Sequence, residues 1–293
     1  MHRFIDCCCY ALLLCLLSFV KVAVMTHRLN VKNIRAISFD VTGTLLVHKD
    51  KIASTYVACA HEAQLPDPPS VDAMSSAFKK AYKSNHLKYP CFGHNKMCQR
   101  DWWYIVVKDS LAYCNKLYSD DDLKRYFRAV YQHYGSLDGY ELLGDATDFL
   151  NANRNRFSYG ITSNTPTRTI ETVLPMLGVH KMFKWSVCSA DIGFEKPQSC
   201  IFEETLKLAR FHLGEHLEKS EVLHIGDSLE ADYFGAKSFG FQALFLDRSG
   251  NQKVTQYSNL YESLHYDGKS EEDIANNTVT NFSQVQSILD GKN

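Results

Sequence analysis

The chain has almost no net charge and no long run of basic residues. Its 32 lysine and arginine residues balance 33 aspartate and glutamate residues, so the formal net charge at pH 7 is -1. A protein that binds nucleic acid needs a concentrated positive field, and nothing in this sequence builds one. We therefore expect no nucleic-acid partner and favour a small molecule as the ligand.

The Cys-x-x-Cys spacing typical of zinc sites is also absent. Four of the ten cysteines lie near the start (Cys7, Cys8, Cys9 and Cys15), and the other six are scattered along the chain. Scattered cysteines in a chain of this size indicate reduced, mostly buried thiols in a cytosol-like compartment. Disulfides are expected only if the chain is secreted.

The N-terminal segment lacks a clear signal-peptidase site. The run from Cys7 to Val24 is largely apolar, but Lys21 interrupts it, and Met25 begins a segment that would suit the start of a cytosolic protein. We interpret residues 1–24 as an extension outside the functional protein and expect a cytoplasmic location, with the nucleus also open. If the run is a signal or an anchor, the protein is secreted or tethered to a membrane.

What the sequence does contain is the composition of a globular protein, with 45% hydrophobic and 22% charged residues. A short apolar run, Arg35 to Asp40, ends in an acid and a glycine-containing turn, as a buried strand does. Beyond Gly144, strands alternate with helices. The predicted strands there are Phe157 to Ser163, Trp185 to Ser189, Glu221 to Gly226 and Gln242 to Leu246. This alternation predicts an α/β fold with a Rossmann-like, doubly wound parallel sheet.

Between the first strand and this region, helical periodicity dominates. It predicts helices over Ala53 to Ala63, Val71 to Asn85 and Gln99 to Tyr113, and one capped by Ser119. We therefore predict a smaller all-helical domain inserted after the first strand. The expected division is core over 25–50, helical cap over 51–140, core over 141–250, and a polar segment over 251–293 with a weak apolar run from Val285 to Leu289.

Polar residues stand where the predicted strands end, at the edge where ligands of such sheets bind. Asp40 ends the first strand, Ser163 the second and Asp227 follows the fourth, while Lys196 lies in the loop beyond the third. A carboxylate can attack phosphorus and form an acyl-phosphate, which splits hydrolysis into two easier steps. Because such an attack brings anions together, a cation such as Mg²⁺ is required, and Asp40 and Asp227 suit it.

In order and spacing these four residues resemble the four motifs of the haloacid dehalogenase superfamily, from about Ile34 to Asp247. The resemblance implies that Asp40 is the nucleophile, that the main-chain carbonyl of Thr42 is a third metal ligand, and that Asp232 supports the metal shell or the lysine. It also implies that Ser163 and Lys196 bind the phosphoryl group, with Thr42, Gly43 and Asn164 completing this set.

Thr42 departs from the pattern of phosphatases in this superfamily. They usually carry there a second aspartate, which protonates the leaving oxygen and then activates water. Loss of a general acid-base typically costs about 10²- to 10⁴-fold in rate. We therefore predict a weak phosphohydrolase that favours acyl or aryl phosphates over alkyl phosphates.

Two alternatives follow from the same departure. One is a catalytically impaired binding or regulatory protein, and the other is a hydrolase of carbon–halogen or carbon–phosphorus bonds. Thr42, the opening His27-Arg28-Leu29 and the pair Trp102-Trp103 resemble the branch that contains haloacid dehalogenase-like hydrolase domain-containing protein 3 and the rhythmically expressed gene 2 proteins. Trp102, Trp103 and Tyr104 are candidates for the substrate side of the cap. The sequence leaves the substrate and the oligomeric state open.

Overall fold

The computed structural model describes residues 29–250 and 271–292. The predictions made for residues 1–24, for the start at Met25 and for residues 251–270 lie outside this range. Within it, no helix combines the length and the apolar character needed to cross a membrane.

The main sheet has six strands, and every neighbouring pair is parallel, as the alternation of strands and helices predicts. In chain order the strands are β1 Ala36–Phe39, β2 Leu46–His48, β3 Tyr140–Leu142, β4 Ser158–Ser163, β5 Phe183–Cys188, β6 Val222–Gly226, β7 Gln242–Leu246 and β8 Thr278–Val279. The order across the main sheet is β5-β4-β1-β6-β7-β8, and β2 pairs with β3 in a separate antiparallel sheet. From β1 the chain adds β4 and β5 on one side and then β6, β7 and β8 on the other. The point beside β1 where the strand order changes side is the topological switch at which doubly wound sheets bind ligands.

Helices cover both faces of the main sheet. The principal helices are α1 Ile52–Glu62, α2 Val71–Lys88, α3 Gln99–Tyr113, α4 Asp120–His133, α5 Gly144–Asn153, α6 Ser199–Leu213, α7 Gly235–Phe239, α8 Glu271–Asn276 and α9 Phe282–Leu289. Shorter helical turns span Pro90–Gly93, Leu174–Met176 and Ser189–Ile192, and π-helical turns span Thr169–Val173 and Leu229–Phe234.

Strand β1 explains why the sheet lies at the centre. All four of its residues are buried, and successive side chains of a strand point to opposite faces. Ala36 packs in the hydrophobic cluster that contains Phe202, whereas Ile37 and Phe39 pack in the cluster that contains Phe149. Because both faces are covered, β1 is buried along its whole length rather than on alternate residues.

The helices α1 to α4 lie between β2 and β3 and share a hydrophobic cluster of their own, which includes the buried Tyr56. The predicted helical insert therefore follows two strands rather than one. Strand β2 escaped prediction because three residues are too few to show a period, and its partner, in which Leu142 lies opposite Leu46, is distant in sequence. The predicted cap of α4 is confirmed, since the Ser119 hydroxyl accepts a hydrogen bond from the amide of Asp122.

The C-terminal residues complete the core. Strand β8 pairs with β7, where Val279 lies opposite Leu246, and Phe282, Val285 and Leu289 are buried against the sheet. The apolar run noted in the sequence is thus the buried face of α9. Strand β8 lies within the segment predicted to be polar, 251–293, and was not predicted. A strand of two residues shows no periodicity.

Candidate active site

Three neighbouring strands bring the predicted site residues to one edge of the sheet. Asp40 directly follows β1, Ser163 ends β4 and Asp227 directly follows β6. Phe39 lies opposite both Ile161 and Ile225 in the parallel register, so the residues that follow emerge side by side. Lys196 reaches the same edge from the loop between β5 and α6.

Asp40 is held by two buried side chains. The Ser163 hydroxyl and the Lys196 ammonium group each donate a hydrogen bond to Asp40 Oδ1, both at 2.8 Å. Asp40 is only 7% exposed, and Ser163 and Lys196 are more deeply buried. The two donors converge on one oxygen, which leaves Oδ2 of Asp40 without a hydrogen bond from any residue that the structure describes.

Lys196 also contacts Asp232, as the sequence predicts for a supporting residue. Its Nζ donates to Asp232 Oδ1 at 2.5 Å and to the carbonyl oxygen of Thr162 at 2.8 Å. The other oxygen of Asp232 accepts the backbone amide of Ser228 at 2.9 Å. Asp232 is thereby fixed by both oxygens, and it in turn fixes the lysine beside Asp40.

Three carboxylates converge at this edge. Asp40, Asp227 and Asp232 each offer an oxygen, and these oxygens lie within 4.8 Å of one another. Gly43 makes room for them: its φ is +90°, and a Cβ there would lie 2.1 Å from Asp227 Oδ2. Oxygen donors of this kind are those that Mg²⁺ prefers, so the residues fit a divalent metal ion.

Negative charge is in excess in this cluster. Burial raises the pKa of Asp40, with Lys196 opposing and Asp232 reinforcing the shift. Burial and the charges of Asp40 and Asp232 raise the pKa of Asp227 to about 7. Burial would also raise the pKa of Asp232, but Lys196 and His224 hold it well below its ordinary value. Burial opposes the charge of Lys196, yet Asp232 and Asp40 raise its pKa.

The loops around the site have defined hydrogen bonds. The side-chain nitrogen of Asn164 donates to the carbonyl oxygen of Lys196 at 2.9 Å, and the Lys196 backbone amide donates to Asn164 Oδ1 at 2.8 Å. Asn164 therefore positions the lysine loop. The Gly43 amide donates to the carbonyl oxygen of Leu46 at 2.7 Å, which turns the chain back toward the sheet edge after Thr42. Thr42 and Asn164 line the cavity in front of Asp40, whereas Gly43 packs against Asp227.

A buried chain of polar side chains beneath the site was missed in the sequence. His224 Nε2 lies 3.0 Å from Asp232 Oδ1, and its Nδ1 lies 3.1 Å from Ser38 Oγ. Ser38 contacts Thr162 at 2.7 Å, and Thr162 contacts Thr205 at 2.6 Å. Burial lowers the pKa of His224, with Asp232 opposing the shift, and this direction favours the neutral ring. A neutral ring donates from Nε2 to the carboxylate and accepts the Ser38 hydroxyl at Nδ1.

One signal for this chain was available, because His224 interrupts an otherwise apolar strand, Val-Leu-His-Ile-Gly. A polar residue in a fully buried strand needs partners. Its partners lie on β1, on β4 and beyond β6, and sequence spacing alone does not indicate them.

A cavity of about 550 Å³ opens in front of Asp40 and extends between the helices of the insert. Of the three aromatic residues considered in the sequence, Trp103 lines it. Trp102 is fully buried, and its indole N–H donates to the carbonyl oxygen of Tyr89. Tyr104 packs edge-on against Phe127, outside the lining.

A family model described as haloacid dehalogenase-like hydrolase matches residues 34–240, more than half of the chain. The chain belongs to this family. The match contains Asp40, Ser163, Lys196 and Asp227, the residues on which the resemblance was based.

Relatives of this haloacid dehalogenase-like hydrolase include both proteins of the branch named from the sequence. This chain is 27% identical over 224 residues to human haloacid dehalogenase-like hydrolase domain-containing protein 3, and the match covers 76% of this chain and 84% of the relative. It is 23% identical over 242 residues to the Drosophila melanogaster rhythmically expressed gene 2 protein, covering 79% and 90%. Ribulose-1,5-bisphosphate 5-phosphatase of Halopiger xanaduensis is 31% identical over 121 residues, covering 41% of this chain and 48% of that protein.

Among solved structures, the magnesium-bound HAD hydrolase YfnB of Bacillus subtilis has the same fold. Its TM-score is 0.59 at 20% identity, covering 87% of this chain and 98% of the other. The α/β core of this haloacid dehalogenase-like hydrolase therefore agrees with its family.

Proposed function

We propose that this protein is a weak, magnesium-dependent phosphohydrolase that acts on a small phosphorylated molecule through an aspartyl-phosphate on Asp40. The observation that carries the proposal is the convergence of Ser163 and Lys196 on one oxygen of Asp40, beside the carboxylate of Asp227. The kinship with a phosphatase supports the same reaction class.

In the first step Oδ2 of Asp40 attacks phosphorus, and the bond between phosphorus and the leaving oxygen breaks. The leaving group departs with the electron pair of that bond. Lys196 offsets the charge on Asp40 and on the phosphoryl oxygens, while Ser163, Asn164 and the backbone amide of Thr42 orient those oxygens. The Gly43 amide is engaged with Leu46, so Gly43 contributes by leaving room for Asp227. Water then attacks the acyl-phosphate, which releases phosphate and restores the carboxylate of Asp40.

Asp40, Asp227 and the main-chain carbonyl of Thr42 would hold Mg²⁺, with Asp232 fixing the surroundings. When bound, the ion neutralises part of the charge on the phosphoryl group. The excess of carboxylates over cations at this edge favours such an ion.

Thr42 sets the limit on the rate, because threonine has no proton to give or take near neutral pH. An alkoxide is a poor leaving group without that proton, whereas a phenolate or a carboxylate departs readily. The proposed activity is therefore weak on alkyl phosphates and confined largely to activated ones.

We further propose that residues 51–140 act as a cap over the site. Polar contacts between this region and the core include Gln99 with Thr167, His86 with Glu195 at 3.1 Å, and His94 Nδ1 with the carbonyl oxygen of Ala190 at 2.9 Å. Phe92 and Trp102 also pack against Cys188 and Ala190 of the core, so the interface combines polar and apolar contacts. A cap held in this way excludes water when closed and admits substrate when open.

The second candidate is a non-catalytic binding or regulatory protein that uses the same phosphate and metal site, and Thr42 is the observation that favours it. Cleavage of carbon–halogen bonds is less well supported, because the metal-free dehalogenases lack the acidic residue that stands here as Asp227. Schiff-base phosphonate chemistry needs a lysine from the cap, and within the described residues no such lysine lines the cavity.

The test is phosphate release by the full chain with and without Mg²⁺, using acetyl phosphate, 4-nitrophenyl phosphate and glycerol 3-phosphate. We expect Mg²⁺-dependent turnover of the first two substrates and little of the third. Asp40→Asn is the matched control, because it keeps the shape of the side chain and removes the nucleophile. Mass spectrometry after acid quenching should place a phosphate on the peptide that contains Asp40.

If the unmodified chain is folded and binds Mg²⁺ but turns over every substrate no faster than Asp40→Asn does, the result would favour the binding protein instead. Turnover that survives Asp40→Asn would remove Asp40 from the mechanism.

A further inference from the structure

The cavity in front of Asp40 has two ends of different chemistry. At the core end lie the carboxylates and Lys196. At the other end the insert contributes a wall of aromatic rings, which we call the aromatic chamber: Tyr56, Phe78, Tyr82, Trp103, Phe127 and Tyr131. A volume of about 550 Å³ falls within the usual range for small-molecule sites, so the chamber has room for an organic group attached to a phosphate at Asp40.

The chamber offers almost nothing to a hydroxyl-rich ligand. Among the described residues, no charged side chain from α1 to α4 lines the cavity. The one amide there, Gln99, uses its oxygen and its nitrogen on Thr167. Among the six rings, a sugar hydroxyl would lose water and find only the hydroxyls of Tyr56, Tyr82 and Tyr131 as partners, which weakens binding. The Thr165 hydroxyl lines the cavity outside the chamber.

Arg168 also lines the cavity, and its guanidinium group packs against a tyrosine of the chamber. It lies 3.9 Å from the centre of the Tyr131 ring and donates to the carbonyl oxygen of Tyr131 at 2.6 Å. A Cβ at Gly135 would lie 1.4 Å from its Nη2, so the backbone encloses it closely. Arg168 therefore forms part of the wall of the chamber beside Tyr131.

The rings are packed against one another, which gives the wall a fixed shape. The ring of Trp103 packs edge-on against that of Trp102, with 4.9 Å between the ring centroids, and its centroid lies 6.0 Å from that of Tyr82. The centroids of Tyr82 and Phe78 are 5.9 Å apart. Phe78, Tyr82 and Trp103 are each partly exposed and line the cavity. Fixed ring faces and edges favour a flat aromatic ligand over a flexible polar one.

We propose that the aromatic chamber selects aryl phosphates, the phosphate monoesters of flat, apolar phenols. The ring of the ligand lies among Phe78, Tyr82 and Trp103, and the phosphorus lies at Asp40. This inference rests on the proposed phosphohydrolase function, and it agrees with Thr42. An aryl oxygen leaves as a stabilised phenolate and needs no proton from position 42. The shape of the chamber and the missing acid therefore select the same class of substrate for independent reasons.

The test separates binding from turnover by using Asp40→Asn, full chain, with Mg²⁺. Isothermal titration calorimetry should give 1-naphthyl phosphate an affinity at least about tenfold higher than that of glycerol 3-phosphate. In the double variant Asp40→Asn/Trp103→Ala, the affinity for 1-naphthyl phosphate should fall by about tenfold. The affinities for glycerol 3-phosphate and inorganic phosphate should not change. Trp103→Phe should restore most of the loss, which a folding defect would not allow.

Phe211→Ala is the matched control, since Phe211 is 79% exposed on α6, outside the lining. It should change none of these affinities. With Asp40 intact, Trp103→Ala should lower kcat/KM for 1-naphthyl phosphate by a larger factor than that for acetyl phosphate.

The outcomes are distinguishable. Equal affinities for 1-naphthyl phosphate and glycerol 3-phosphate, or a loss in Trp103→Ala that is equal for both, would overturn the aromatic selectivity even if acetyl phosphate is hydrolysed. Tight, Trp103-dependent binding of 1-naphthyl phosphate without turnover would support the chamber and refute the hydrolase.

Discussion

Position 42 lies two residues beyond Asp40, in the turn that Gly43 completes against Asp227. We predict that Thr42→Asp supplies the missing acid-base group and raises turnover of glycerol 3-phosphate by about 10²-fold, the lower end of what such a group provides. Formation of the aspartyl-phosphate from acetyl phosphate needs no such proton, so kcat/KM for acetyl phosphate should change far less. Hydrolysis of the aspartyl-phosphate follows for both substrates and should gain from the new base in both cases.

Steady-state kinetics on both phosphates check this prediction. Thr42→Asn is the control, since it has similar size and no titratable proton. A gain of equal size in Thr42→Asn would show that packing, rather than proton transfer, limits the rate.

His224 matters for a different reason, because it joins Asp232 to the hydroxyl chain beneath the sheet edge. Replacing it by leucine leaves a buried carboxylate oxygen and the Ser38 hydroxyl each without one partner. We predict a loss of about 2–3 kcal/mol in the free energy of unfolding, measured by urea denaturation. Thr205→Val, at the far end of the same chain, should cost only about 1 kcal/mol. Equal losses in the two variants would contradict a special role for the contact between His224 and Asp232.

These residues also show what the sequence could reveal about the site. Asp40, Ser163 and Asp227 were predictable because strand ends in a parallel sheet meet at one edge, so order along the chain is enough. Lys196 lies in a loop, and its selection rested on the resemblance to the family. The hydroxyl chain and the aromatic chamber depend on which side chains face each other across strands and helices. That information is absent from spacing, and of the chamber only Trp103 was considered in advance.

Among the elements, α9 is connected to the core by the carboxylate of Asp145 on α5. Asp145 Oδ2 accepts the backbone amide of Phe282, the first residue of α9, at 2.9 Å, and Arg248 forms a two-point ion pair with the same carboxylate at 3.0 and 3.1 Å. Burial opposes ionisation, but Arg248 and the Phe282 amide lower the pKa of Asp145. Its contribution to stability is therefore present above the ordinary aspartate pKa of about 4 and is lost as the pH falls below it.

We predict that Asp145→Ala lowers the free energy of unfolding by about 1–2 kcal/mol at pH 7 and by less below pH 4. Amide hydrogen exchange should accelerate in α9 before it does in β1. Asp148→Ala on the exposed side of the same helix is the control and should have little effect. Unchanged exchange in α9 would mean that apolar packing alone holds this helix.

Elements differ in how well their sequences indicate them. The helix predicted over Gln99 to Tyr113 has the same bounds in the structure, because fifteen residues display several turns of the apolar pattern. Strands β2, β3 and β8, of two or three residues each, show no pattern, and pairing with a distant partner defines them.

At the scale of the whole molecule, the carboxylate cluster should couple stability to the metal ion. Three carboxylates face one lysine, so an ion that binds the folded chain and not the unfolded chain shifts the equilibrium toward folding. A Mg²⁺ concentration 100 times Kd should add about 2.7 kcal/mol. We predict a rise in Tm with Mg²⁺ that is absent in Asp227→Asn, measured by calorimetry at constant ionic strength. An equal rise in the variant would indicate general salt screening instead.

The pairing of β2 with β3 has a consequence for how such a protein evolves. The Lys49 amide donates to the carbonyl oxygen of Gly139 at 3.3 Å, so the chain leaves for the four helices and returns from them at nearly the same point. Chain segments that begin and end side by side are tolerant of replacement. A lineage can therefore exchange this segment by recombination and acquire a new ligand in one event, while the reactive edge of the sheet is inherited unchanged.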